Sequence, residues 1–288
     1  MIGEVLKESF KISWRNPGLW FLGFISTLFF IPTSEFLFIF SLPVFFTLFY
    51  EFRLKEFTLE EKINPFFILI ILLIFLFLTF LSIFSEVLLI NLIKRIRKKE
   101  SLKEAGKESL KLSGKIFLLK FFVGCFLLFF WILLVIFFFK NLNLNFVIFY
   151  IFFSLISIIL LFLLRYTIFF IIIENKKFLP ATKDSFLFLK ENFLKTLIMS
   201  FILFLIFFLY TFILSIFSES GTFTYPLRIF NFLSLYFFGK VSFWFGIIFT
   251  ALFVILLSIF LTGLIGVYQI ASWLILFLKL REKSVEKR

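Results

Sequence analysis

KESLKLSGKIFLLKFFVGCFLLFFWILLVIFFFK, residues 107–140, passes without interruption from a charged, serine-punctuated phrase into the apolar run 116–139. A helix rises about 1.5 Å per residue, so a run of this length matches the roughly 30 Å hydrocarbon core of a bilayer. The second part therefore reads as a membrane span. The polar phrase before it recurs at 7–16 as KESFKISWRN and, more loosely, at 183–192 as KDSFLFLKEN. Each copy stands immediately before an apolar run, at 18–31, 116–139 and 194–217.

The composition agrees with a membrane reading. Of 288 residues, 62% are apolar and 24% aromatic, Phe alone accounts for 56, and the mean hydropathy is +1.13. Soluble domains are about 45–50% apolar. The stretches between apolar runs are too short to bury a core of their own, so residues 1–288 read as a single transmembrane domain. Cys125, the only cysteine, lies inside an apolar run, which excludes an intramolecular disulfide and a thiolate metal cluster. Histidine is absent, and with it the commonest general base and transition-metal ligand. Asp184 is the single aspartate, and no paired carboxylates within a span, glycine-rich phosphate loop or nucleophile elbow occurs. The expectation is a protein with no catalytic residues, no cofactor and no metal, and not an enzyme. Glu4 and Glu8 in the head, and a first run ending without a small-x-small site, argue against a signal peptide.

Five runs, about 65–92, 116–139, 146–173, 194–217 and 242–278, are long enough to span. The shorter runs 18–31 and 36–50 are divided by Pro32, Thr33, Ser34 and Glu35, with Pro43 inside the second. Charge placement sets the count. The 30 Lys and Arg concentrate in 1–17, 94–115, 174–195 and 279–288, and basic residues mark cytoplasmic segments. Both termini and both basic connectors are then cytoplasmic, and 18–50 crosses once, with 36–50 a re-entrant or interfacial continuation. The fold class expected is an all-α polytopic bundle of about six spans in a cell membrane. It divides into three units, about 1–98, 99–178 and 179–288, each opening on a cytoplasmic amphipathic helix.

The middle unit suggests what such a helix does. Lys99, Lys103, Lys107, Lys111 and Lys115 recur at every fourth position beside Glu100, Glu104 and Glu108, while Leu102, Ala105, Ser109, Leu112 and Ile116 form a second stripe. A helix of this kind starting at 99 lies on the membrane surface. Lys94, Arg95, Arg97, Lys98, Lys99 and Lys103 are then the candidate contacts to anionic lipid head groups, each worth about 1 kcal/mol. The bilayer is the expected partner and nucleic acid is not, because the formal charge of +13 borders spans and no soluble binding module exists.

The segment FFIIIENKKFLPATKDSFLFLKENFLKTL, residues 169–197, resembles a broad group of six-span prokaryotic membrane proteins. That group includes the membrane domain appended to some glycerophosphodiester phosphodiesterases. The shared positions are Glu174, Ala181, Ser185 and Asn192, and SWRNPGLWFLGF at 13–24 is similar to the group's usual approach to its first span. The resemblance implies the six-span architecture. It brings no enzyme, because the phosphodiesterase activity belongs to a separate soluble barrel.

Charges inside spans mark the remaining candidates. Arg165 and Glu86 fall at similar depth on two returning spans and are a candidate pair, the alternative being snorkelling or separate solvation by a cytoplasmic cavity, while Lys120 is expected to snorkel to the interface. Gly263 and Gly266 give the last span a smooth face, at a spacing of three rather than the four of the usual close-approach motif. Two functional classes follow. A membrane scaffold or lipid-associated protein needs only a packed bundle with basic surface helices. The alternative is a small-molecule or ion transporter with a polar pathway near Arg165, Glu86 and Gln269 and a break at Pro32 and Pro43. The scarcity of polar residues in the spans favours the first.

Overall fold

The computed structural model describes residues 1–28, 65–140, 144–219 and 240–286. These residues form seven α-helices and no strand. They are α1 (Ile2–Arg15), α2 (Trp20–Leu28), α3 (Pro65–Lys98), α4 (Ala105–Lys140), α5 (Leu144–Glu174), α6 (Phe178–Glu219) and α7 (Lys240–Glu286), with one 3-10 turn at Pro17–Leu19. Four stretches, Leu73–Lys98, Ile151–Glu174, Phe178–Tyr210 and Ile259–Ser284, are long and apolar enough to cross a membrane. The described residues are thus all-helical, with four helices compatible with a multi-pass membrane protein. In hydrocarbon a helix is favoured because it satisfies every backbone group internally. The segment 36–50 and the Pro32 and Pro43 break lie outside the described residues.

The joints between polar phrase and apolar run have identifiable causes. Asn16 (φ −123°, ψ 71°) leaves helical space ahead of Pro17, and its Nδ2 donates to the Ile12 carbonyl at 2.7 Å. Pro17 cannot donate a backbone hydrogen bond and opens the 3-10 turn. Asn192, at the same place in the third phrase, leaves helical space with φ −122° and ψ 19°, and its Nδ2 reaches the Phe188 carbonyl at 3.1 Å. The result is a kink within α6. In the second phrase Ile116 occupies that place, and α4 continues unbroken.

The amphipathic helix expected from residue 99 begins later. Helix α3 extends to Lys98 and stops where Lys99 turns left-handed, at φ 58°. The Lys99 and Glu100 amides then close onto the carbonyls of Ile96 (3.2 Å) and Arg95 (2.9 Å), the double hydrogen bond of a Schellman cap. Helix α4 starts only at Ala105, so Lys94, Arg95, Arg97 and Lys98 belong to the last turns of α3. Asn175, at φ 53°, takes the corresponding place after α5. Both left-handed residues stand ten positions before a phrase serine.

Burial follows one register in the three phrases. Ser9, Ser109 and Ser185 are buried, as are Val5, Ala105 and Ala181 one turn earlier. The next residues, Phe10, Leu110 and Phe186, are 55%, 59% and 57% exposed. The polar bonds repeat too: Asn91 Nδ2 donates to Ser109 Oγ at 2.8 Å, and Thr167 Oγ1 to Ser185 Oγ at 3.1 Å, each reaching 18 residues along the chain.

Helix α7 is the most shared element, packing against α1 and α2, while α3 joins α2 to α4 and α5 packs mainly on α6. Near one end, Tyr166, Phe170, Phe188, Trp273 and Phe277 form an aromatic cluster with Phe188–Phe277 centroids 5.1 Å apart. Glycine makes the α2–α7 crossing possible. A Cβ on Gly23 or Gly263 would run into the Gly263 or Trp20 carbonyl oxygen respectively, and one on Gly266 would lie 2.6 Å from the Gly23 oxygen. Gly23 therefore completes a pair whose spacing of three looked weak. Gly263→Ala should lower thermal stability in detergent by about 1–3 kcal/mol through overpacking. Gly114→Ala, where an added Cβ meets nothing within 4 Å, should be neutral or slightly stabilising. Equal melting temperatures for the two variants would contradict the crossing.

Candidate functional site

Each phrase acid meets cations at the end of an apolar helix. Glu8 pairs with Arg97 (3.2 Å) and Lys279 (3.2 Å), Glu108 with Arg95 (3.0 Å), and Asp184 with Lys176 (2.6 Å). Arg97 also holds Glu282 at 3.2 Å, so it ties α1 to α3 and α7 rather than facing outward to head groups. Glu174 accepts from Arg281 Nε at 2.9 Å and pairs with Lys176 at 2.6 Å. For Lys176, burial is the largest effect and opposes the charge, but hydrogen bonds to Asp184 and Glu174 outweigh it and raise the ammonium pKa above its ordinary value.

Between the ends of α3 and α5 and the first turns of α4 runs a groove of about 1050 Å³. One part is charged, with Lys94, Arg95, Lys98, Lys111, Lys115, Lys176 and Lys177 against only Glu100 and Glu108. The other part is apolar, walled by Leu118, Phe122, Phe126 and Leu160. Of the head-group candidates, Lys94, Arg95 and Lys98 line it, and Lys99 and Lys103 do not. Lys99 and Lys103 lie instead in the exposed cap and turn between Lys98 and Ala105. Lys176 and Lys177 were missed because they lie 78 and 79 residues beyond Lys98 at the α3 end and meet it only in the fold.

The Arg165–Glu86 pair is not what forms. Glu86 binds Lys120, whose side chain is 6% exposed and so does not snorkel, and the Arg165 guanidinium lies 4.5 Å over the Trp273 ring. Spacing alone could not see that Lys120, about four turns into α4, faces α3. Of the four residues of the resemblance, Glu174 pairs with Arg281 of α7, Ala181 and Ser185 are buried in the first turns of α6, and Asn192 kinks that helix farther along. Among the described residues, no three of Cys, Asp and Glu gather as metal ligands.

No family model, curated protein sequence or solved structure gives a significant match to the chain.

Two outcomes check this geometry. Glu86→Gln should cost about 3–5 kcal/mol by leaving the buried Lys120 ammonium without its carboxylate, and Glu86→Leu combined with Lys120→Met should recover most of it. Additive losses in the double-mutant cycle would contradict the pair. A raised folded-state pKa means that Lys176 contributes stability fully below its unfolded value, 10.5, and loses it as pH rises through the folded value. Lys176→Met should flatten the decline in stability above that pH, and an unchanged alkaline profile would remove Lys176 from the account.

Proposed function

We propose that the chain is a non-catalytic membrane scaffold or lipid-associated protein of six spans in three units, about 1–98, 99–178 and 179–288. Its termini and both basic connectors lie on the cytoplasmic side of the cell membrane, and it acts without cofactor or metal. One observation carries the reading: at one register of all three phrases a large apolar residue, Phe10, Leu110 or Phe186, faces outward more than half exposed. Lys7, Lys11, Lys107, Lys111 and Lys183 flank these residues and are exposed as well. A helix with an apolar edge between lysines lies in the head-group layer, and anionic lipid adds about 1 kcal/mol per basic residue. Helix α4, continuous from its phrase to Lys140, supports a further span beyond the four already described. The likeness to six-span prokaryotic membrane domains at Glu174, Ala181, Ser185 and Asn192 belongs to this proposal.

A transport reading draws on Gln269, fully buried in α7 with neither amide atom hydrogen-bonded among the described residues. The engagement of Glu86 by Lys120 weighs against a polar pathway there.

Single cysteines at 10, 110 and 186, in a Cys125→Ser background and carrying an environment-sensitive fluorophore, test the lipid reading. Blue-shifted emission, quenched by lipid-borne nitroxide, is expected at all three, with water-like emission from residue 104. Water-like emission at 10, 110 and 186 would overturn it.

A further inference from the structure

Seven cations line the groove, but they are not equivalent. Arg95 is paired with Glu108, Lys98 with Glu100, and Lys176 with Glu174 and Asp184. Lys94, Lys111, Lys115 and Lys177 form no ion pair among the described residues, and Lys94 Nζ reaches only the Ile173 carbonyl, at 3.3 Å. Four like charges converging on one cleft repel one another unless an anion joins them. Immediately beside them the wall turns apolar, and Leu118, Phe122 and Phe126, which form it, are 56%, 68% and 50% exposed. These three follow a spacing of four on α4, so they make one continuous stripe running from the lysines into the span. The groove thus joins a cationic pocket to a lateral apolar opening.

We propose that this groove holds one anionic phospholipid. Its phosphate lies among Lys94, Lys111, Lys115 and Lys177, and an acyl chain follows Leu118, Phe122 and Phe126. The occupant is fixed by the join of the two chemistries. A free phosphate makes no use of the apolar stripe, and a lipid without net charge leaves the four ammonium groups uncompensated. The lining is drawn from the end of α3, from α4 and from the segment after α5. The third phrase has Leu187 and Glu191 where the second has Lys111 and Lys115, so its own charge pattern rejects an anion at that place. This assignment deepens the lipid-associated reading above and rests on it.

The test uses the full chain in an uncharged detergent, with native mass spectrometry counting phosphatidylglycerol or phosphatidylcholine retained. Two triple variants remove equal charge: Lys111→Gln, Lys115→Gln, Lys177→Gln in the groove, and Lys190→Gln, Lys195→Gln, Lys283→Gln, exposed positions that do not line it. One phosphatidylglycerol per chain is expected for the unaltered protein and for the second variant. The groove variant should bind it on the order of a hundredfold more weakly, at about 1 kcal/mol per lysine. Lys115→Glu, a single change at an exposed position, should weaken it by about thirtyfold and serves if the triple variant misfolds. Equal losses in both triple variants would overturn the groove site while leaving the lipid-associated reading standing. Competition by inorganic phosphate as effective as by the lipid would make it a free-anion site and also overturn it. Equal retention of phosphatidylcholine and phosphatidylglycerol by the unaltered protein would remove the reading beneath it as well.

Discussion

A helix laid across the end of an apolar bundle must approach closely enough to pack, yet any polar group it buries there needs a partner. Ser9 and Ser185 meet that constraint by donating to the carbonyls of Val5 and Ala181 one turn back, at 2.7 and 2.6 Å. Ser109 accepts from Asn91 instead. The small side chains allow close contact without an unmade hydrogen bond, which would cost about 1–3 kcal/mol each. The neighbouring acids then choose which helix end is approached. Ion pairs this exposed contribute about 0–1 kcal/mol apiece, so Glu8, Glu108 and Asp184 select register more than they stabilise. Packing of Val5, Ala105, Ala181 and the aromatic cluster around Phe277 supplies the larger share.

Much of this was legible from the letters. The recurring Lys, acid and Ser of 7–9, 107–109 and 183–185 mark equivalent burial, and the exposed residue that follows is apolar in every copy. Asn16 and Asn192 could be matched in register, although only the backbone angles identify them as joints. What escaped depends on contacts between distant segments. Glu86 had two cations within reach by depth, Arg165 and Lys120, and depth cannot tell which way a helix is rotated. Gly23 appeared isolated because its partners, Gly263 and Gly266, come from the other end of the chain. Lys99 was read as helical because nothing in a lysine announces a left-handed cap, whereas Asn175 is a residue type that adopts one readily.

The three phrases differ at exposed positions. Lys11 and Arg15 become Lys111 and Lys115 in the second copy and Leu187 and Glu191 in the third. Buried positions kept their small or apolar character while outward ones changed charge, as expected when packing constrains one face and the surroundings tune the other. That division lets the second phrase bring two lysines to the groove where the third has a leucine and a glutamate. The closely packed glycine crossing of α2 on α7 meanwhile holds helices from the two ends of the sequence together.

The central claim is that all three amphipathic segments lie on one side of the membrane. Single cysteines at 7, 100, 177 and 283, each exposed, in a Cys125→Ser background test it with a membrane-impermeant thiol reagent on intact cells and inverted vesicles. The account predicts labelling of all four only in inverted vesicles. Labelling of 100 and 177 from opposite sides would contradict it.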